Sequence, residues 1–403
     1  MSITKVKNTF TPDRPASSVE RCYGRSDEIA RLVRASQQNS VAVVGPYGIG
    51  KSTLLGTAIP DIESSSNVIS LQLNPEIDSC DLLAKQLIHQ ITTGLTDTVG
   101  YTIHLGLPKV ASVQLTSQKV YSLYNDGLHL QALLHLIDQI EYIPDVPTVF
   151  CLDQCELAPK PLALFMRGLQ GLGLKGRDNN IVVAVGNPPF IEEMRKTEPR
   201  IADFLVGQID LTVLDLADAR DLVRDSLLNW CEKVHKECNR TMTLEESLPN
   251  RIAILSGGHP HLLQLIGHQV IENEVNSTDW MIDGQNLNEF LTSICSSGGR
   301  YARLIDRLEI EGAMAPLRSL LTLATGDIPT KIKRTDAIDQ IGEENLAKLC
   351  SMGHAYLDRE DVRIIDELFR FRLLLDSTPV HGLQAIEEQL ISAELSTGQL
   401  RIG

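Results

Sequence analysis

The stretch Val-Ala-Val-Val-Gly-Pro-Tyr-Gly-Ile-Gly-Lys-Ser-Thr-Leu-Leu at residues 41–55 decides the fold of this chain. Residues 41–44 are an apolar, β-branched run typical of a strand buried on both faces, and Thr53 onward has the pattern of a helix. Between them, residues 45–52 fit the template GxxxxGK[ST]. Strand, glycine-rich loop and helix therefore follow in the order of a phosphate-binding loop, which predicts an α/β fold with a parallel sheet.

Each part of this loop has a chemical role. The glycines let the backbone wrap a polyphosphate, so that main-chain N–H groups and the helix N-terminus face the anion. Lys51 is expected to reach the β- and γ-phosphates, and the Ser52 hydroxyl to ligate Mg²⁺. An ordinary glycine-rich turn is the alternative, which the flanking strand and helix disfavour. The predicted nucleotide-binding set here is Gly45, Pro46, Tyr47, Gly48, Ile49, Gly50, Lys51, Ser52 and Thr53.

Length and composition indicate an ordinary globular protein. The 403 residues favour two or three domains, and 43% hydrophobic with 22% charged residues is a normal composition. The net charge of -15 opposes broad non-specific binding to nucleic acid or anionic lipid. Eight cysteines without a CxxC pair, no signal-like N-terminus and no apolar run near ~18 residues predict a cytoplasmic protein with reduced thiols.

A second motif follows the apolar run 148–152, predicted to be a buried strand. This strand ends in Asp153-Gln154-Cys155-Glu156, where open α/β sheets bind their ligands. Asp153 is the candidate Walker B carboxylate that holds Mg²⁺ opposite Ser52. Gln154 cannot accept a proton, whereas Glu156 is a candidate hydrolytic base if it turns inward. The alternative for Glu156 is a solvated loop carboxylate.

Two further candidates follow along the chain. The buried run 181–185 leads to Asn187, whose amide is placed to hold the attacking water or the γ-phosphate, unless it serves only the turn. Arg200 is a candidate phosphate sensor or trans-acting arginine finger, or else a surface charge.

Hydrophobic periodicity predicts the remaining organisation. The predicted regions are an N-terminal arm over the first domain at 1–22, the α/β core at 23–214, a helical lid at 215–300, a tail module at 301–376 and a terminal helix and tail at 377–403. The further elements expected are helices 27–36, 80–91, 128–143, 215–238, 248–255, 261–274 and 382–395, a strand at 68–73 and a β-hairpin within 96–120, and residues 209–214 form another short apolar stretch.

The tail module has the pattern of a winged helix. Helices are predicted at 316–323, 331–341 and 343–352, followed by a hairpin from 355–357 and 362–365. Residues 313–376 carry nine basic and eleven acidic side chains, 9 − 11 = −2, and the helix 343–352 has one lysine against two glutamates. Because such a helix repels phosphate, a protein-facing role is favoured over DNA binding through Lys331, Lys333 and Arg334.

Taken in order, these features resemble a known class of protein. Tyr23-Gly24-Arg25, the loop 45–52, Leu152-Asp153, Asn187, Pro199-Arg200, Gly257-Gly258-His259-Pro260 and the winged helix are similar to those of AAA+-type P-loop ATPases. The nearest branches are STAND signalling ATPases of archaeal-ATPase and NACHT-like type, with the Orc1/Cdc6 initiators as relatives. The resemblance implies that Tyr23, Gly24 and Arg25 line the adenine pocket and that Asn187 is sensor 1. It also implies that Gly258-His259-Pro260 is the lid motif that touches the nucleotide, with Pro260 and His261 as nucleotide-binding residues.

The chain also departs from its relatives. Gln154 stands where Orc-like proteins have a catalytic Glu, and His261 where they have the sensor 2 Arg. Full-length STAND proteins usually add an effector and a repeat sensor, which this chain lacks. We therefore expect a separate effector protein as partner.

The resemblance implies three possible functions. The first is an ATP- and Mg²⁺-binding, slowly hydrolysing switch that controls homo-oligomer assembly or effector binding, in bacterial or archaeal defence or signalling. The second is an Orc1/Cdc6-like or transposition-regulator ATPase that loads on DNA. The third is a nucleotide-bound scaffold without turnover. No membrane partner is expected.

Overall fold

The structure is a computed structural model, and contacts within it divide the chain into two units. The sheet unit comprises Ser17–Gly45 and Lys51–Leu211, and the helical unit comprises Met1–Ala16, Pro46–Gly50 and Thr212–Gly403. The structure describes residues 6–12, 22–92, 102–104, 114–116, 118–140, 146–173, 179–275, 280–285, 287, 290, 301–324, 330–358, 360–366, 369–370 and 373. The predicted helix at 382–395 lies outside these residues.

The sheet unit alternates strands and helices. Its strands are β1 (Ser40–Val44), β2 (Asn67–Gln72), β3 (Thr102–His104), β4 (Gln114–Thr116), β5 (Thr148–Asp153), β6 (Asn180–Gly186) and β7 (Leu205–Asp210). Its helices are α1 (Ser26–Ala35), α2 (Lys51–Glu63), α3 (Cys80–Ile91), α4 (Gln118–Asn125), α5 (His129–Ile140), α6 (Pro159–Gly173) and α7 (Pro189–Thr197).

Five of the strands form one parallel sheet in the order β2-β5-β6-β1-β7. The three central strands β5, β6 and β1 are buried almost throughout, as their continuous apolar sequences require, whereas the edge strands β2 and β7 alternate between buried and exposed residues. The predicted P-loop-type parallel sheet is thus confirmed. Because all five strands run in one direction, their carboxyl ends meet at one edge of the sheet.

Helices α3, α5 and α6 contribute to the apolar core of this unit. Leu83, Leu133 and Phe165 are fully buried in it, and the Phe165 ring meets Phe150 of β5 edge to face with centroids 5.3 Å apart. The Ser79 hydroxyl caps α3 by accepting the N–H of Leu82. The core therefore fixes the strand ends from which the site is built.

The helix predicted at 128–143 is α5, whose described part runs from His129 to Ile140, and residues 141–143 lie outside the described residues. Two sequence predictions for this unit need correction. The apolar stretch 209–214 marks only the end of β7, which begins at Leu205, because edge residues such as Gly207 and Gln208 weaken the apolar signal. The hairpin predicted within 96–120 is seen as β3 paired antiparallel with β4, but residues 118–125 form the amphipathic helix α4.

The helical unit contains seven described helices and five short strands. They are α8 (Leu216–Cys238), β8 (Thr243–Leu244), α9 (Leu248–Ser256), α10 (Pro260–Val275), β9 (Met281–Ile282), α11 (Ala302–Ile310), α12 (Met314–Leu321), β10 (Ile332–Lys333), α13 (Arg334–Ile341), α14 (Glu343–Ser351), β11 (Ala355–Asp358) and β12 (Asp361–Ile364). Asp215 caps α8 by accepting the N–H of Asp218 at 2.8 Å.

The N-terminal arm packs on helices of this unit. Phe10 is only 1% exposed, and a Cβ added at Gly267 of α10 would come within 2.4 Å of its ring. The Asn8 amide donates to the His268 carbonyl at 3.2 Å, and the Thr11 N–H donates to the Gln264 side chain at 2.9 Å. The arm was predicted to lie over the α/β core, but its described contacts are with α8 and α10.

After α11, the tail elements follow the order helix, strand, helix, helix, strand, strand. The prediction had three helices and a hairpin and did not include the short strand β10. The strands form an antiparallel sheet in the order β10-β12-β11. Its helices begin and end differently from the prediction, because Ile332 and Lys333 pair with β12 instead of joining α13. None of the helices among the described residues is long and apolar enough to cross a membrane.

Candidate functional site

The loop between β1 and α2 lies at the carboxyl edge of the sheet. Gly45 follows β1 and donates its N–H to the Gly186 carbonyl at the end of β6. Gly48 and Gly50 have φ values of +76° and +95°, a region that L side chains rarely adopt. Helix α2 begins directly after the loop, at Lys51. The loop backbone therefore has the conformation of a site in which main-chain N–H groups bind an anion. Glycine is required at positions 48 and 50, where φ is positive.

Lys51 is the cation of the site. Its ammonium donates to the Gly45 carbonyl at 2.8 Å and to Asn187 Oδ1 at 2.9 Å. Burial lowers the pKa of Lys51 from 10.5 to about 8, against the opposing influence of the Glu156 and Asp153 carboxylates. The ammonium thus donates to two uncharged oxygens in a partly desolvated place, where electrostatic interactions are stronger than in water.

Asp153 is the last residue of β5, and the chain turns sharply after it. Gln154 adopts the left-handed conformation with φ 59° and ψ 42°, which is uncommon for a residue with a side chain. The Gln154 N–H donates to Asp153 Oδ1 at 2.9 Å. This turn fixes the carboxylate at the strand end, and local strain of this kind is frequent at functional sites.

Glu156 turns toward the end of β6. It lies on the single 3-10 turn Cys155–Leu157, and its Oε2 accepts the N–H of Asn187 at 3.1 Å. Gly186 makes this approach possible, because a Cβ there would lie 2.8 Å from Glu156 Oε2 and 2.7 Å from the Phe190 ring. The structure therefore joins Lys51, Asn187 and Glu156 in one chain of hydrogen bonds.

The centre of the loop is held by residues of the helical unit. His259 Nε2 lies 3.1 Å from the Tyr47 carbonyl, and the His261 N–H donates to the Gly48 carbonyl at 3.2 Å. A Cβ at Gly48 would lie 2.8 Å from both His259 Cε1 and His261 Cβ. Pro260 approaches Gly50, with 4.0 Å between its Cγ and a Cβ added there. Residues 259–261 therefore fit against the loop with no room for a side chain at Gly48.

The turn that presents His259 is itself tightly constrained. Gly257 and Gly258 have φ values of +57° and +73°, and the Gly258 carbonyl accepts the N–H of Leu214 at 2.9 Å. A Cβ on Gly258 would lie 2.1 Å from the Leu214 carbonyl oxygen, so that only glycine fits. This close approach fixes the start of α10.

The other predicted site residues lie as follows. The Arg25 guanidinium is buried and forms an ion pair with Glu28 at 3.1 Å, and it follows Tyr23 and Gly24 in the turn before α1. Arg200 is exposed on the 3-10 helix Pro199–Asp203. Ser52 and Thr53 are half-buried in the first turn of α2, Ile49 is buried, and Tyr47 is 76% exposed with its ring beside that of His261.

This arrangement fits a polyphosphate with a divalent cation. Main-chain N–H groups of the loop and the start of α2 are anion ligands, and Lys51 supplies the positive charge. Hard cations such as Mg²⁺ prefer oxygen ligands, and the Ser52 hydroxyl at the start of α2 and the Asp153 carboxylate at the end of β5 offer them within one sheet unit. The fold and this site together define a P-loop NTPase.

Comparison with known proteins gives the same class. Residues 15–256, more than half of the chain, match the family described as Novel STAND NTPase 1. The chain belongs to this family. No curated protein sequence matches it significantly.

Solved structures with the same fold include two archaeal proteins. A Walker-type ATPase of Pyrococcus abyssi is 14% identical with a TM-score of 0.53, covering 90% of this chain and 98% of its own. The ORC2 protein of Aeropyrum pernix, solved in ADPNP and ADP complexes, is 12% identical with a TM-score of 0.53, covering 97% of this chain and 99% of its own. At these identities the similarity shows the fold alone.

Two residues contribute to the site in ways that were not predicted from the sequence. Nothing in the pattern distinguishes Gly186 from an ordinary strand-ending glycine, although it admits Glu156. His259 belongs to the motif expected to touch the nucleotide, and the contact of its side chain with the loop backbone was not predicted. The only signal for this was the pair of glycines before it, which allow a very close turn.

Proposed function

We propose that this protein binds MgATP at the loop 45–52 and acts as a slowly hydrolysing switch. The observation that carries the proposal is the placement of Lys51. Its half-buried ammonium lies 2.9 Å from Asn187 Oδ1 and is influenced by the carboxylates of Asp153 and Glu156, which supports assigning the cation and the hydrolytic candidates to one site.

In this proposal Lys51 binds the β- and γ-phosphates, and Asn187 orients the terminal phosphate or the attacking water. Ser52 and Asp153 would hold Mg²⁺, which supplies charge neutralisation at the phosphates. Tyr23, Gly24, Arg25, Pro260 and His261 are the proposed contacts for the rest of the nucleotide, and Arg200 the proposed sensor or finger.

Slow hydrolysis is expected from the environment of Glu156. Its Oε2 already accepts the Asn187 N–H, and Gln154, next to the proposed metal ligand, has no basic group. Glu156 is the remaining candidate base. We therefore expect turnover below about one per second, and faster hydrolysis by the wild-type protein would contradict this assignment.

The switch part of the proposal rests on contacts inside the helical unit. The Tyr47 carbonyl lies 3.1 Å from His259 Nε2, and the Gly48 carbonyl accepts the His261 N–H at the start of α10. A phosphate that binds the loop would therefore contact residues that pack with α10. We propose that this contact lets the nucleotide state control self-assembly or the binding of a separate effector, for which a defence or signalling role is the working hypothesis.

DNA loading is the less favoured alternative. Lys331 lies 3.3 Å from the Asp361 carboxylate and Arg334 lies 3.7 Å from that of Glu343, both within the tail module. The Lys348 ammonium donates to the Glu311 carbonyl. Carboxylates beside two of the candidate cations compete with DNA phosphates, which favours a protein partner.

Mass photometry of the full chain with MgATP, with MgADP and without nucleotide tests the proposal. We expect the mass distribution, alone or with a candidate effector, to differ between ATP and ADP. Lys51→Ala is the nucleotide-blind control, and its distributions should be identical in all three conditions. If the wild type binds MgATP but its mass distribution is the same in all three conditions, the switch is rejected. A nucleotide-bound scaffold is then the remaining function.

A further inference from the structure

The inference concerns His259, whose side chain is 4% exposed at the turn before α10. Its Nε2 lies 3.1 Å from the carbonyl oxygen of Tyr47. A carbonyl oxygen only accepts hydrogen bonds, so Nε2 carries a hydrogen and donates it. The imidazole therefore holds a peptide group of the phosphate loop in one orientation.

The orientation of a peptide group has a direct consequence for anion binding. In a planar trans peptide the C=O and N–H bonds point in opposite directions. With the Tyr47 carbonyl turned toward His259, the N–H of Gly48 points away from it. The next peptide follows the same rule, because the Gly48 carbonyl accepts the His261 N–H and so directs the Ile49 N–H away from α10.

The two donors differ in kind. His261 uses its main-chain N–H, one of the first-turn N–H groups of α10 that have no acceptor within their own helix. Pro260, at the first position of α10, has no N–H to contribute. His259 uses its side chain, which makes its contribution accessible to substitution without altering the helix.

The position of His259 is determined independently of the loop. Gly258 is held against Leu214 by the 2.9 Å hydrogen bond from the Leu214 N–H, and a Cβ would collide with the Leu214 carbonyl. The imidazole also leaves no space for a side chain on Gly48. The backbone before His259 is thus fixed by Leu214, and the His259 side chain contacts the loop.

We propose that His259 is a positioning residue that presets the main-chain N–H groups of the phosphate loop and thereby sets the affinity for ATP. This inference rests on the proposed function, since it concerns the same loop. In this inference the imidazole contacts the loop backbone and not the nucleotide. The binding of any ligand through the loop, including inorganic tripolyphosphate, should therefore depend on His259 to the same degree as the binding of ATP.

Two substitutions of similar volume test it. His259→Gln retains an N–H donor that reaches the Tyr47 carbonyl, whereas His259→Leu fills the space without a donor. We expect His259→Leu to weaken binding of MgATP and of tripolyphosphate about tenfold in calorimetric titrations, as expected for loss of one hydrogen bond, and His259→Gln to stay within about threefold of wild type. His268→Gln, on the helix α10 that follows His259, is the matched control.

Hydrogen exchange in the nucleotide-free proteins gives a second readout. The amides of residues 47–50 should exchange faster in His259→Leu than in wild type or His259→Gln, while thermal melting shows whether each variant is folded. Equal affinity and exchange for the Leu and Gln variants would overturn the inference, whether both match wild type or both are impaired.

The controls separate this inference from the proposed function. If wild type binds MgATP, Lys51→Ala does not, and His259→Leu binds as wild type does, only the inference about His259 fails. If wild type and Lys51→Ala bind MgATP equally, the proposed function fails, and the exchange experiment still decides whether His259 orders the loop.

Discussion

Two regions of this chain have basic side chains where a polyanion is expected, and they hold those side chains in opposite ways. Lys51 in the phosphate loop is paired with a carbonyl and an amide oxygen, both uncharged. Lys331 and Arg334 in the tail module lie beside carboxylates of their own module. The carboxylates of Asp153 and Glu156 also act electrostatically on Lys51, whereas a carboxylate that forms an ion pair with a basic side chain competes directly with phosphate for it. The comparison shows that a basic residue in the sequence does not by itself indicate a phosphate site. The groups bonded to its side chain must also be known.

The largest expected effect is at Lys51. Lys51→Ala removes the charge and both hydrogen bonds, so MgATP affinity should fall more than about 100-fold, as expected for loss of a desolvated charge-assisted contact. Calorimetric titration measures this. Lys236→Ala, an exposed lysine near the end of α8, is the control and should bind as wild type does. Unchanged affinity of Lys51→Ala would remove the phosphate-site assignment.

A methyl group on the loop tests its geometry. Gly48→Ala places a Cβ 2.8 Å from two side-chain atoms at a φ of +76°, and we expect about 30-fold weaker MgATP binding from strain near 2 kcal/mol. Gly56→Ala is the matched control, because its Cβ meets nothing within 4 Å and alanine favours the helix. If both variants bind like wild type, the loop does not require the observed backbone.

The pH dependence tests the charge of Lys51. Its pKa of about 8 means that the charged fraction falls from roughly three quarters at pH 7.5 to about 3% at pH 9.5. Because binding requires the ammonium, MgATP affinity should fall about 25-fold over this range, in which the phosphates of ATP are already ionised. Lys51→Arg stays charged, so its weaker binding should be nearly independent of pH. A flat wild-type profile would contradict the lowered pKa.

The smallest effect is expected in the tail module. Fluorescence anisotropy with duplex DNA and a non-hydrolysable ATP analogue should show no binding by wild type at about 150 mM salt, because the local charges are balanced. Removing the competing carboxylates with Asp361→Asn and Glu343→Gln should raise DNA affinity less than about tenfold. Glu344→Gln, an exposed neighbour, is the control. Salt-sensitive, ATP-dependent binding by wild type would instead support DNA loading.

Much of the sheet could be predicted from the sequence, and the reason is burial. The strands β1, β5 and β6 are continuous apolar runs ended by glycine or a polar residue, and their ends supply the loop, Asp153 and Asn187. The apolar pattern marked only the end of the edge strand β7, because half of its residues face solvent and carry no apolar signal.

The site was less predictable than the sheet. The residue types at Lys51 and Asp153 follow from motif spacing, but the link from Glu156 to Asn187 depends on a turn in which a glutamine adopts a left-handed conformation. The contact of His259 with the loop joins residues more than 200 positions apart, and no local pattern encodes it. Short-range patterns reveal which groups carry chemistry, whereas long-range packing decides what holds them.

The N-terminal arm has a consequence for how this chain is made. Residues 8–11 bond to partners 217 to 264 positions later in the sequence. At a synthesis rate of about 5–20 residues per second, roughly 10 to 50 seconds separate their emergence from the ribosome. Through that interval the aromatic ring of Phe10 has no cavity to enter, so chaperone capture of the nascent arm is an expected property of its biogenesis.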